Sequence, residues 1–215
     1  MNQHRKATRV ITTTIGILLA LAGFNHGFFE ALQGAKPTEG LIIQAIDESI
    51  RWWEHGSEEA FTIVPNYLIT GILAMAVSIF IIIWSVRYIH KKNGPAIFLL
   101  LFILLFLVGG GIGQVLFFLL TWAYATRLTR PLDWWKRLLP EKFRMTLSKL
   151  WIPLLVIFTI LFVVALEIAI FGYFPGVTDP ETLLSVCWTS LIVALLLINL
   201  IYISGFAADI KTSGR

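Results

Sequence analysis

PAIFLLLFILLFLVGGGIGQVLFFLLTWAYAT, residues 95–126, is the stretch on which the fold turns. A membrane-crossing helix takes about 20 apolar residues. This run is too long for one ordinary crossing and short for two, and GGGIGQ interrupts its middle. Its neighbours leave no doubt about the solvent: 57% of the 215 residues are hydrophobic and only 14% charged, against roughly a quarter charged in soluble chains. Apolar runs over about 9–33, 63–86, 150–172 and 182–205 each meet the crossing length.

Loop charge decides how 95–126 is counted. Arg5, Lys6 and Arg9 precede the first run, Arg87, Lys91 and Lys92 follow the second, and Lys211 and Arg215 close the chain. Residues 127–149 add Arg127, Arg130, Lys136, Arg137, Lys142, Arg144 and Lys149. If 95–126 makes a hairpin, all but Lys36 and Arg51 of the seventeen Lys and Arg residues fall on one side, the cytoplasmic one by the positive-inside rule. The expected fold is therefore all-α and polytopic, one domain over 1–215. It has six membrane segments (9–33, 63–86, 95–108, 114–128, 150–172, 182–205) and both termini in the cytoplasm. The third and fourth segments are short, about 21–24 Å at 1.5 Å per residue, and join through a Gly-rich outer turn. MNQHRKATR followed by ALAG has the outline of a cleavable signal, but the apolar helix continues through Phe24, Phe28, Phe29 and Leu32, so an uncleaved first helix is expected.

Two surface segments carry patterns of their own. In LIIQAIDESIRWWE, Ile42, Ile43, Ile46, Ile50 and Trp53 recur at helical spacing while Asp47, Glu48, Arg51 and Glu54 fall opposite. This predicts an amphipathic helix over 41–54 on the outer surface, anchored by Trp52 and Trp53. The basic segment 127–149 mixes aromatic with cationic side chains, a composition that attracts anionic membrane lipid. With basic residues serving as topology signals, no nucleic-acid partner is expected. The single cysteine, Cys187, excludes an intramolecular disulfide or a CxxC pair.

Polar residues inside the apolar runs supply the candidate site. His26, Glu30 and Gln33 follow at i, i+4 and i+7, so they form one stripe near the outer end of the first helix. Gly23 and Gly27 beside it allow another helix to come close. Pro65 opens the second span and places Asn66 and Thr70 at the same level. Glu167 sits in LFVVALEIAIFGYF, and Gly109, Gly110, Gly111, Gly113 and Gln114 form the tip of the short hairpin. An ionisable group in hydrocarbon is expensive and commonly functional. An outward-facing pocket of His26, Glu30, Asn66, Thr70, Gln114 and Glu167 is expected, with Asn199 the main polar group of the inner half. Imidazole and carboxylate also suit zinc, iron or manganese, which makes His26, Glu30, His55, Glu58 and Glu59 candidate ligands of a divalent metal. HExxH, GxSxG and aspartate-rich motifs are absent, GGGIG lacks the Walker lysine, and His90 reads as a solvated group beside Lys91 and Lys92.

HGFFEALQG (26–34), FTIVPNYLITGILA (61–74) and GGGIG (109–113), in this order between tryptophan-rich basic loops, resemble a group of prokaryotic multi-span membrane proteins. The similarity covers roughly residues 1–140. It implies a plasma-membrane location and a prokaryotic source, and no activity. Three functional classes follow. The first is a binding or accessory protein holding a lipid, a quinone or a partner subunit, with a second copy of this chain also a candidate partner. The others are a metal-dependent or acid/base enzyme at the outer leaflet and a small transporter or channel.

Overall fold

The structure is a computed structural model that describes residues 6–213. Arg5 and Arg215, two of the charges in the topology argument, lie outside the described residues. Four helices are long and apolar enough to cross a membrane: α1 (Lys6–Leu32), α2 (Tyr67–Arg87), α7 (Trp151–Phe171) and α8 (Pro180–Ser213). Between them come two short apolar helices, α3 (Gly94–Leu107) and α4 (Val115–Ala125). At 1.5 Å per residue these span about 21 and 17 Å, less than the roughly 30 Å hydrocarbon layer. Two surface helices, α5 (Asp133–Leu138) and α6 (Glu141–Leu147), occupy the basic segment.

The chain is α-rich rather than all-α, because it also folds a three-stranded antiparallel sheet in the order β1-β2-β3. β1 is Ile42–Ile46, β2 is Glu58–Thr62 and β3 is Val108–Gly111. Ile42 pairs with Phe61 and Ile43 with Ala60, while Ala60 pairs in turn with Gly111 and Thr62 with Val108. Two expectations are corrected here. The Gly-rich tip is a buried strand instead of a turn, since three successive glycines hold a helix poorly and Gly109, at φ +109°, turns the chain out of α3. The amphipathic helix over 41–54 is β1 followed by turns. Its isoleucines fit either period in so short a run, and β-branched residues beside a pairing partner favour the strand. Trp53 is tied to α7. Its Nε1 donates to Ala169 O at 3.2 Å, and its ring covers Gly172, the left-handed residue that ends α7.

α1 is the hub. Its seam with α2 is antiparallel and lined by small residues: a Cβ at Gly23 would lie 3.1 Å from Ser78 Oγ, and one at Gly27 2.6 Å from Gly71 O. On other sides α1 meets Phe98 and Leu105 of α3 and Ile11 packs on Gly205 of α8. A continuous core of Phe98, Phe102, Leu105, Phe118, Phe158 and Phe162 fills the middle of the bundle.

Contacts sort the ends of the bundle. Arg9 donates to Val86 O at 3.2 Å, and Asp209 accepts from the backbone N–H of Ala7 and Thr8 at 2.9 and 3.0 Å. The ring centroids of Trp135 and Phe206 lie 5.1 Å apart. The start of α1, the end of α2, the basic segment and the end of α8 thus share one end. The opposite end holds the sheet, the end of α1 and the α7–α8 turn, where His55 bonds Glu181 at 3.0 Å.

Candidate functional site

The His26–Glu30–Gln33 stripe faces the sheet. Gln33 Nε2 donates to Gln44 O and Ala45 O of β1, at 2.7 and 2.9 Å. Glu30 lies against Gly109 and His26 Nε2 against Gly111 so closely that a Cβ at either glycine would overlap them. The match is geometric. Residues i and i+4 on a helix are about 6 Å apart along the axis, and residues i and i+2 on one face of a strand about 6.6 Å. Two alternate glycines therefore receive two side chains one helical turn apart, and only glycine leaves the room.

Hydrogen bonding at this contact is incomplete. Glu30 is wholly buried, and neither carboxylate oxygen has a hydrogen-bond partner; His26 Nδ1 has none either. Lys36 and Arg51, the cations of the same end, are engaged with Asp47 at 3.2 Å and Glu48 at 3.7 Å. A buried polar group left without a hydrogen-bond partner costs about 1–3 kcal/mol, so the unpaired Glu30 carboxyl marks this contact as a candidate ligand site. His26 as a whole residue is half-buried, with its Nδ1 enclosed.

The neighbouring polar groups are satisfied and hold the frame. Thr70 donates to Val108 O at 2.8 Å, so Thr62 donates its own hydroxyl to Thr70 at 2.6 Å while accepting from Val64 N at 3.0 Å. This chain ties β2, α2 and β3 together. Asn66 caps α2 by accepting from Ile69 N at 3.1 Å. Gln114, in the amide orientation that satisfies both atoms, donates to Leu19 O at 3.0 Å and accepts from Gly23 N at 3.2 Å. It locks the start of α4 onto α1 one turn from His26.

Glu167 does not join them. α7 buries Leu155, Phe158, Phe162, Ala165 and Ile168, and Glu167 falls off that stripe, exposed and without a hydrogen bond to any described residue. The five candidate metal ligands also separate. His55 goes to Glu181, Glu58 enters β2 and Glu59 faces outward. Among the described residues no three His, Cys, Asp or Glu side chains converge on a metal-sized position.

Composition gave little notice of a second polar cluster at the basic end. Thr8 Oγ1 donates to Asp209 at 2.5 Å, Tyr202 OH donates to Thr12 Oγ1 at 3.0 Å, and Tyr124 OH donates to Asn199 at 2.7 Å. The one sequence signal was TRVITTT, three threonines and one more at i−4 inside an apolar helix. The partners of Thr8 and Thr12 lie some 190 residues away or more, in α8, and Thr13 donates to Ser85 O of α2.

Glu58 supplies a pH-dependent prediction. Burial, with the Glu59 carboxylate beside it, pushes its carboxyl up to about 7. Between its ordinary value and 7 the folded chain holds a proton that the unfolded chain has released, so stability falls as pH rises through that window. Melting in detergent is expected to occur at lower temperature at pH 8 than at pH 5, and Glu58→Gln to flatten the difference. A wild-type profile that rises with pH over this range contradicts the assignment.

Comparison with family models, curated proteins and solved structures finds no match to this chain. The resemblance carried by HGFFEALQG, FTIVPNYLITGILA and GGGIG therefore adds nothing to the site, and the functional reading rests on the geometry alone.

Proposed function

We propose that this is a binding or accessory protein of a prokaryotic plasma membrane, whose His26–Glu30 site takes the polar end of a lipid-soluble ligand: a lipid, a quinone or a segment of a partner subunit. The single observation behind this reading is the pair of Glu30 carboxylate oxygens, buried against Gly109 with no donor. The ligand group that fits is a hydrogen-bond donor or a cation. In this reading the basic end faces the cytoplasm, and α3, β3 and α4 form a hairpin entering from that side. The site then lies at the level of the outer half of the bilayer. Irregular backbone at that depth is tolerated where it is enclosed by protein, as β3 is between β2 and α1.

The test is native mass spectrometry and lipid extraction of protein purified in mild detergent, comparing wild type with Glu30→Gln and His26→Ala. Wild type is expected to retain a lipophilic species whose occupancy falls about tenfold in Glu30→Gln, the effect of losing one charged hydrogen bond of about 1.4 kcal/mol. An identical profile in all three folded proteins refutes the reading. Stoichiometric zinc, iron or manganese that disappears in both variants supports the metal-dependent enzyme instead.

A second reading, passage of protons or small cations, draws on the polar groups at both ends of α1, buried Glu30 and half-buried His26 at one and buried Thr12, Thr8 and Asp209 at the other. Against it stands the apolar layer of Phe98, Phe102, Leu105 and Phe118 between them. Ion flux in proteoliposomes that is lost in Glu30→Gln decides for passage.

A further inference from the structure

We propose that α5 and α6 form a seat for the phosphate headgroups of anionic phospholipid in the leaflet at the basic end of the bundle. This inference is independent of the His26–Glu30 site. Neither helix buries a residue. Trp134 of α5 is 59% exposed and Phe143 of α6 68%, so each helix leaves one large aromatic side chain uncovered by the protein. Between and beside them stand Lys136, Arg137, Lys142 and Arg144, and none of the four makes an ion pair or a side-chain hydrogen bond with a described residue. Asp133 and Glu141 are the only acids in 127–149.

Covalent placement fixes the depth. The segment leaves α4 at Ala125 and enters α7 at Trp151, so both of its ends are tied to apolar helices. Trp135 pins it sideways against Phe206 of α8. Pro140, extended at ψ 149°, breaks the segment into two short helices, both of which neighbour α8. Exposed indole and phenyl rings at that level enter the headgroup boundary. Lysine and arginine beside them meet the phosphates, each attracted to an anionic surface by about a fivefold gain in local lipid. A protein partner would need acids to match these cations and would leave the rings no reason to sit at bilayer depth, so charge and placement together favour lipid.

The test uses the full chain reconstituted in phosphatidylcholine vesicles doped with brominated phosphatidylglycerol or, separately, with brominated phosphatidylcholine at equal mole fraction. Trp134 emission is isolated as the difference between wild type and Trp134→Phe. Quenching by the anionic lipid is expected to exceed that by the zwitterionic lipid roughly fivefold or more at low salt, and to converge on it as sodium chloride is raised. A variant carrying Lys136→Gln, Arg137→Gln, Lys142→Gln and Arg144→Gln is expected to show no preference. Equal quenching by the two lipids in wild type, a preference insensitive to salt, or a preference retained in the folded variant overturns the proposal. Should the variant fail to fold, the salt titration of wild type decides alone.

Discussion

A single methyl group at Gly111 is expected to destabilise the protein by about 1–3 kcal/mol, the usual effect of overpacking, and deletion of the His26 imidazole in the same chain to return most of that loss. Gly111 has φ −58° and ψ 137°, a conformation any residue adopts, and the atoms nearest to an added methyl there are those of the imidazole. Gly109 is different. Its Cβ would overlap the Glu30 carboxylate, and its φ of +109° is unfavourable for every side chain. Gly109→Ala is expected to lose about 2–6 kcal/mol, the sum of overpacking and backbone strain, and Glu30→Ala to recover only the first part. Gly113→Ala, in the same GGGIG motif, meets open space and should fall within about 0.5 kcal/mol of wild type. Unfolding by SDS titration in mixed micelles measures all three. Additivity of Gly111→Ala with His26→Ala would show that strand and stripe are not in contact.

The second large effect belongs to the α1–α2 seam. Gly27→Leu is expected to lose about 4–5 kcal/mol or more, a range reached only when something basic to the packing is broken. A Cβ at Gly27 would stand 2.6 Å from Gly71 O and 2.9 Å from Met75 N, and backbone cannot yield as a flexible side chain does. A side chain at Gly71 in turn meets Gly27 O and, at 2.5 Å, Ala31 N. Separating the helices there lifts Glu30 from β3, so ligand retention and stability are expected to fall together in this variant. In Glu30→Gln retention falls while the seam stays intact. Stability of Gly27→Leu close to that of wild type would refute the close approach.

Much of this was visible in the amino acids. Apolar run length located α1, α2, α7 and α8, and the basic residues set the two ends apart, because both depend on composition summed over many positions. The i, i+4, i+7 spacing of His26, Glu30 and Gln33 was legible for a similar reason: helical phase is local. The same logic failed at Glu167, where nearly every neighbour is apolar. An apolar helix with no amphipathic pattern gives no clue to which face turns inward, and α7 turns Ile168 inward and Glu167 out.

What the sequence determined by itself is thus the solvent, the long helices, the glycine interruption of 95–126 and the polar stripe of α1. What only the tertiary structure decided is what the interruption is for. A run of glycines is permissive of many conformations, and its becoming a strand depends on Ala60 and Thr62 arriving from a distant loop to pair with Gly111 and Val108. Isoleucines 42, 43 and 46 suit a helix or a strand until β2 lies beside them. Strand pairing and the burial of Glu30 against Gly109 are contacts between segments tens of residues apart, and no local preference encodes them.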